Sequence, residues 1–73
     1  MLNLESAFAQ QVENAISSSP YLSGRKLRFE AEQGRVVLHG EVASYFQKQM
    51  AQEALRHVEG VEHIDNRLEV NWA

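Results

Sequence analysis

Leu4, Phe8, Val12, Ala15 and Ile16 recur at spacings of three and four, which predicts an amphipathic helix over residues 4–17 with a single apolar stripe. Its other face carries Glu5, Gln10, Glu13, Asn14 and Ser17. Ser17, Ser18 and Ser19 followed by Pro20 end it, because proline disfavours helical backbone in the residue before it. The period then changes to two. Leu27, Phe29 and Ala31 alternate with Lys26, Arg28, Glu30 and Glu32, and Val36, Leu38, Gly40 and Val42 alternate with Arg35, Val37, His39 and Glu41. Only Gln33-Gly34 separates the two runs, the signal of a tight hairpin in which glycine supplies a positive φ. This loop length sets Glu32 opposite Arg35, Glu30 opposite Val37, Arg28 opposite His39 and Lys26 opposite Glu41, with Phe29 meeting Leu38 on the other face. Glu32 with Arg35 and Lys26 with Glu41 then become opposite-charge cross-strand pairs.

A second helix is predicted from Tyr45, because Ser44 and Gln47 have the spacing of a capping box. Phe46, Met50, Ala51, Ala54, Leu55 and Val58 form its apolar stripe, and Lys48, Gln49, Gln52, Glu53, Arg56 and His57 face solvent. Gly60 followed by Val61 reads as a left-handed helix cap, expected to tolerate a side chain less well than Gly34 in its looser hairpin loop. One further strand is expected from about Val61 to Trp72. Ile64, Asn66, Leu68, Val70 and Trp72 take its inner face, and His63, Asp65, Arg67, Glu69 and Asn71 its outer face. Asn66, turned inward, needs hydrogen-bond partners, expected among backbone groups of a connecting loop. The order αββαβ describes a two-layer α/β sandwich, with both helices on the apolar face of a three-stranded sheet and a parallel, right-handed return into the last strand. Pattern alone allows the third strand beside either the first or the second.

Length and composition narrow the class. The chain has 73 residues, room for one domain spanning residues 1–73, and its 44% hydrophobic and 23% charged content is that of an ordinary globular fold. With no cysteine there is no disulfide or thiolate metal site to add stability, so packing must suffice. Ten acidic against seven basic residues give a net charge of -3, the wrong sign for wrapping nucleic acid. No apolar run approaches the roughly 20 residues of a membrane span, and the amino terminus lacks the basic flank and apolar run of a signal peptide. The chain as written is therefore expected in the cytoplasm; as a domain excised from a longer exported protein, it would sit in the periplasm or envelope.

The run Val36-x-Leu38-x-Gly40-x-Val42, the helical alanines Ala51 and Ala54, and then Val58-x-Gly60-Val61-x-x-Ile64-x-Asn66-x-Leu68-x-Val70 resemble the BON domain, named for bacterial osmotically induced and nodulation proteins. The likeness extends upstream through Val12 to Ile16, Pro20, Leu22, Leu27 and Phe29, so it runs from about Val12 to Val70. Gly40, Gly60-Val61 and Asn66 are its more specific part and are taken as a structural signature. The resemblance implies a mixed three-stranded sheet with the second strand central, backed by two helices. It also implies a non-catalytic role in protein interaction or phospholipid binding, often in envelope and stress-response proteins.

The residues themselves point to no chemistry of bond making. His39 and His63 both project from the outer sheet face, but a metal site needs a third ligand, and His57 belongs to the helical layer. Glu30 with Glu32, or Asp65 with Glu69, share a face, yet an open wet sheet does not separate two pKa values as acid–base work requires. No catalytic residue, metal or cofactor is expected, and the outer face has no aromatics interleaved with basic residues for stacking on nucleic acid. The first helix contains no Lys or Arg, so it makes a poor interfacial anchor. Tyr21, Leu22, Arg25 and Lys26 form the one candidate lipid contact, although Leu22 also suits a place in the core. The favoured reading is a binding module for a protein partner or a second copy, docking by strand addition on the third strand's edge or the charged face beside it. Asp65, Arg67, Glu69 and Trp72 are the candidate residues, Trp72 being either the last core residue or an interface anchor.

Overall fold

A computed structural model of the chain describes the backbone of residues 4–22 and 27–71 and the side chains of residues 7–22 and 27–71. The elements run α1 Leu4–Ser17, β1 Leu27–Glu32, β2 Arg35–Val42, α2 Tyr45–Arg56, β3 His63–Asn66 and β4 Glu69–Val70. β2 is central. β1 pairs antiparallel on one side, and β3 and β4 pair parallel with β2 on the other. The fold is a compact α+β structure, two helices with a mixed sheet, consistent with a two-layer sandwich.

The hairpin register is the expected one, with Glu32 opposite Arg35, Glu30 opposite Val37, Arg28 opposite His39 and Phe29 opposite Leu38. Gln33 at φ 50° and Gly34 at φ 82° both adopt positive φ, as a two-residue turn matched to the twist of its strands requires. The side-chain pairing differs. Arg35 lies 3.8 Å from Asp65 on β3, and His39 meets Glu30 diagonally, Nε2 to Oε2 at 2.8 Å. A parallel neighbour on its other side offers Arg35 a carboxylate, and the long guanidinium stem reaches it. The pair expected between Lys26 and Glu41 involves a residue outside those described.

Alternate residues of β2 and one stripe of each helix meet in a core of Val12, Leu22, Val36, Leu38, Val42, Ala51, Leu55 and Leu68, each at most 4% exposed. Phe8, Ala15, Ile16, Leu27, Phe29, Val58, Val61 and Ile64 pack half-buried around it. Fully burying one such aliphatic side chain is worth about 1.5–3 kcal/mol. In a domain without cross-links these eight positions therefore supply a large part of the stability.

Four expectations need correction. The last strand is not continuous. Pairing with β2 stops after Leu38–Asn66 and resumes at Glu41–Glu69 with the same stagger. At the gap, Asn66 Oδ1 accepts the N–H of Leu68 at 3.2 Å, while Gly40 on β2 has φ 135°. The Leu68 N–H lies on the edge away from β2, so this local bond covers part of the outer edge, and the break in pairing falls opposite Gly40.

Gly60 has positive φ, 95°, but it does not cap α2. The helix ends at Arg56 with His57 as its C-cap, and Gly60 lies within the next turn, closed by Val61 N–H to Val58 O at 3.2 Å. The relative tolerance of the two turn glycines is also reversed. A Cβ on Gly34 would stand 3.1 Å from both the Gly60 carbonyl oxygen and Glu62 Oε2, whereas one on Gly60 meets only the Phe8 ring at 3.7 Å. The hairpin turn is crowded because the chain entering β3 passes over it, Glu62 and His63 both donating their N–H to Gly34 O at 2.7 and 3.1 Å.

Phe46, expected in the core stripe of α2, is 51% exposed. It occupies the first turn of the helix, beyond the reach of the core.

Candidate binding surface

The start of α2 is set by Ser44 and Gln47. Ser44, in extended backbone, accepts the Gln47 N–H on its Oγ at 3.1 Å, and Gln47 Oε1 accepts the N–H of Ala43 at 2.7 Å. This is a capping box displaced by one residue on its return bond. Gln47 has a further partner: its Nε2 donates to the carbonyl oxygen of Tyr21 at 3.0 Å, tying the loop after α1 to the first turn of α2. Leu22 is thereby held in the core at 4% exposure, and Tyr21 is left on the surface at 48%.

Tyr21 and Phe46 meet edge to face, ring centroids 5.0 Å apart at 89°. Such pairs contribute about 0.5–1.5 kcal/mol beyond their burial, which holds two half-exposed rings in a defined pose. Tyr45, on the same first turn of α2, is 60% exposed. Three large aromatics therefore stand at the end of the sandwich opposite the hairpin. Of the residues proposed from sequence for a lipid contact, Tyr21 belongs to this cluster, Leu22 lies beneath it, and Arg25 and Lys26 lie outside the described residues.

Sequence reasoning missed Tyr45 and Phe46. A signal was present: two bulky aromatics at consecutive helical positions point about 100° apart, so one core cannot take both.

Part of the outer sheet face is paired within itself. Asp65 Oδ2 accepts from Arg67 Nε at 2.9 Å while Arg35 approaches the same oxygen. Glu69 is exposed on β4, and Trp72 lies outside the described residues. Asn66 faces the helical layer, half-buried, and its Nδ2 donates to the Lys48 carbonyl oxygen at 2.9 Å. Its partners are thus a carbonyl of α2, the Gln52 side chain at 3.4 Å, and the N–H of Leu68 in the link between β3 and β4. His63 registers with Arg35, four residues along β2 from His39, so the two imidazoles start about 13 Å apart at the usual strand rise. Among the described residues no three His, Asp or Glu side chains gather as metal ligands would. Nor is any described helix long and apolar enough to cross a membrane.

A sandwich whose end presents exposed aromatics has the build of a small recognition domain. The family model of the BON domain matches residues 5–71, and the chain belongs to the BON domain family, a binding-type rather than a catalytic one. Among curated proteins, none matches the chain at a significant level.

Proposed function

We propose that this domain is a non-catalytic binding module that holds a protein partner through the aromatic end formed by Tyr21, Tyr45 and Phe46. The observation that carries the reading is the exposure of all three rings at the one place where the α1–β1 loop and the start of α2 are fastened together. Rigid, half-exposed aromatics supply large contact area at little cost in side-chain entropy, which is why such residues dominate interface energetics. A photo-crosslinking amino acid placed at Tyr45 or Tyr21 in the producing cell tests this. Discrete protein adducts are expected there and not from Gln10 or Glu13 on the exposed face of α1; equal labelling from both faces refutes the reading.

A second reading, a phospholipid surface, is favoured by Arg25 and Lys26, which follow Tyr21-Leu22 closely in the chain. Aromatic residues with flanking cations suit the headgroup region, each cation adding about 1 kcal/mol near an anionic surface. Co-sedimentation with anionic and neutral vesicles at low and physiological salt distinguishes the two. Salt-sensitive pelleting with anionic vesicles that is lost in Phe46→Ser supports the lipid reading, and no pelleting at low salt removes it.

A further inference from the structure

We infer that the outer edge of β3 and β4 is a self-association edge, on which a second copy of this chain adds antiparallel about a twofold axis at Asn66. This goes beyond the aromatic-end reading and does not depend on it. Among the described residues no strand lies beyond β3 or β4. The N–H groups of His63, Arg67 and Asn71 turn inward, donating to Gly34, Leu38 and Val42 on the β2 side. Along a strand the direction alternates, so the peptide groups of Ile64, Asn66 and Leu68 face outward.

Charge complementarity selects the occupant and the register. With the axis at Asn66, Asp65 of each copy stands opposite Arg67 of the other, His63 opposite Glu69, and Ile64 opposite Leu68. The outer-face sequence is therefore antisymmetric in charge about Asn66, so every charged side chain from 63 to 69 meets one of opposite sign or an imidazole. Moving the axis to Arg67 sets Asp65 against Glu69, and moving it to Leu68 keeps only the Arg67–Glu69 contacts. The twofold arrangement closes, so the pairing stops at two copies. Two contacts change in each chain: the Leu68 N–H leaves Asn66 Oδ1, a long 3.2 Å contact, for the partner's Ile64 carbonyl, and the exposed Arg67–Asp65 pair within the chain is shared with the partner's. The Asn66 Nδ2 bond to Lys48 is untouched by the exchange. Association is accordingly weak and depends on concentration.

Sedimentation velocity of the chain across a concentration series tests this, with Asp65→Arg and Arg67→Asp alone and mixed in equal amounts. In Asp65→Arg homodimers two arginines face two arginines, and in Arg67→Asp homodimers acid faces acid, so each variant should dimerise about tenfold less tightly than the parent chain. In the mixture, a chain with arginine on both sides of Asn66 meets a chain with aspartate on both sides, so opposite charges face each other again and association recovers as heterodimers. Loss of folding in both variants cannot mimic that recovery. Should either variant fail to fold, Glu69→Lys, at an exposed position, gives the second measurement and should also weaken the dimer. A parent chain that stays monomeric throughout, a mixture no tighter than its components, or an unaffected Glu69→Lys dimer overturns the inference.

Discussion

The two ends of β2 are built on opposite terms. At the hairpin end, backbone meets backbone: Glu62 and His63 both donate to Gly34, and the Gly60 carbonyl approaches so closely that a Cβ on Gly34 would stand only 3.1 Å from its oxygen. At the other end side chains do the fastening. Ser44 and Gln47 close the start of α2, Gln47 reaches the Tyr21 carbonyl, and three aromatic rings stay in solvent. The comparison teaches that this small domain concentrates steric constraint where the chain must re-enter the sheet. It leaves apolar surface uncovered where nothing in the fold requires it.

The largest effect should come from the crowded end. Gly34→Val combines left-handed backbone with a tight contact against a carbonyl and is expected to cost about 3 kcal/mol, whereas Gly60→Val, strained but uncrowded, costs about 1–2 kcal/mol. Thermal unfolding of the pair decides it, since each kcal/mol moves Tm by roughly 4–8 °C in a domain of this size. A larger loss at Gly60 breaks the comparison. Next comes Asn66→Ala, which strips the Lys48 carbonyl and the Leu68 N–H of their partner midway between the ends. About 1–3 kcal/mol should be lost in urea unfolding; no change would mean water replaces both bonds. Ser44→Ala removes an N-cap acceptor at the aromatic end for about 1 kcal/mol. Circular dichroism at 222 nm should show only modest loss of helix, and a collapse of α2 would place more weight on that end than its bonds imply. A comparably small stability effect, about 1 kcal/mol, is expected from Phe46→Ser, a half-exposed ring that loses its edge contact with Tyr21, with partner crosslinking at Tyr45 lost at unchanged fold. A stability loss of several kcal/mol there would make Phe46 a core residue after all.

Self-association would place a third region beside these two, a strand edge whose charges are complementary to themselves. Its legibility differs from that of the aromatic end. The alternating charges of His63, Asp65, Arg67 and Glu69 are visible in the sequence, and so is their place beside a candidate docking edge. The direction of the peptide groups, and so the register of any added strand, follows only from the bonds to β2.

Periodicity by itself determined the helices, the hairpin and its register, because amphipathic spacing and a two-residue turn are local properties of the chain. The inward positions of Val12, Val36, Leu38, Ala51, Leu55 and Leu68 followed for the same reason. What the tertiary structure alone decided were the matters in which distant segments compete for one place. The strand entering at Glu62 crowds Gly34 and releases Gly60. A carboxylate on β3 draws Arg35 away from Glu32. Pairing of the last strand with β2 breaks between Asn66 and Glu69, opposite the positive φ of Gly40. Phe46 has the spacing of a core residue and the position of a surface one, because α2 enters the core only at Ala51, beyond its first turn. Hydrophobic pattern records which face a residue turns, but how far along that face the opposing layer extends is a property of the packed layers.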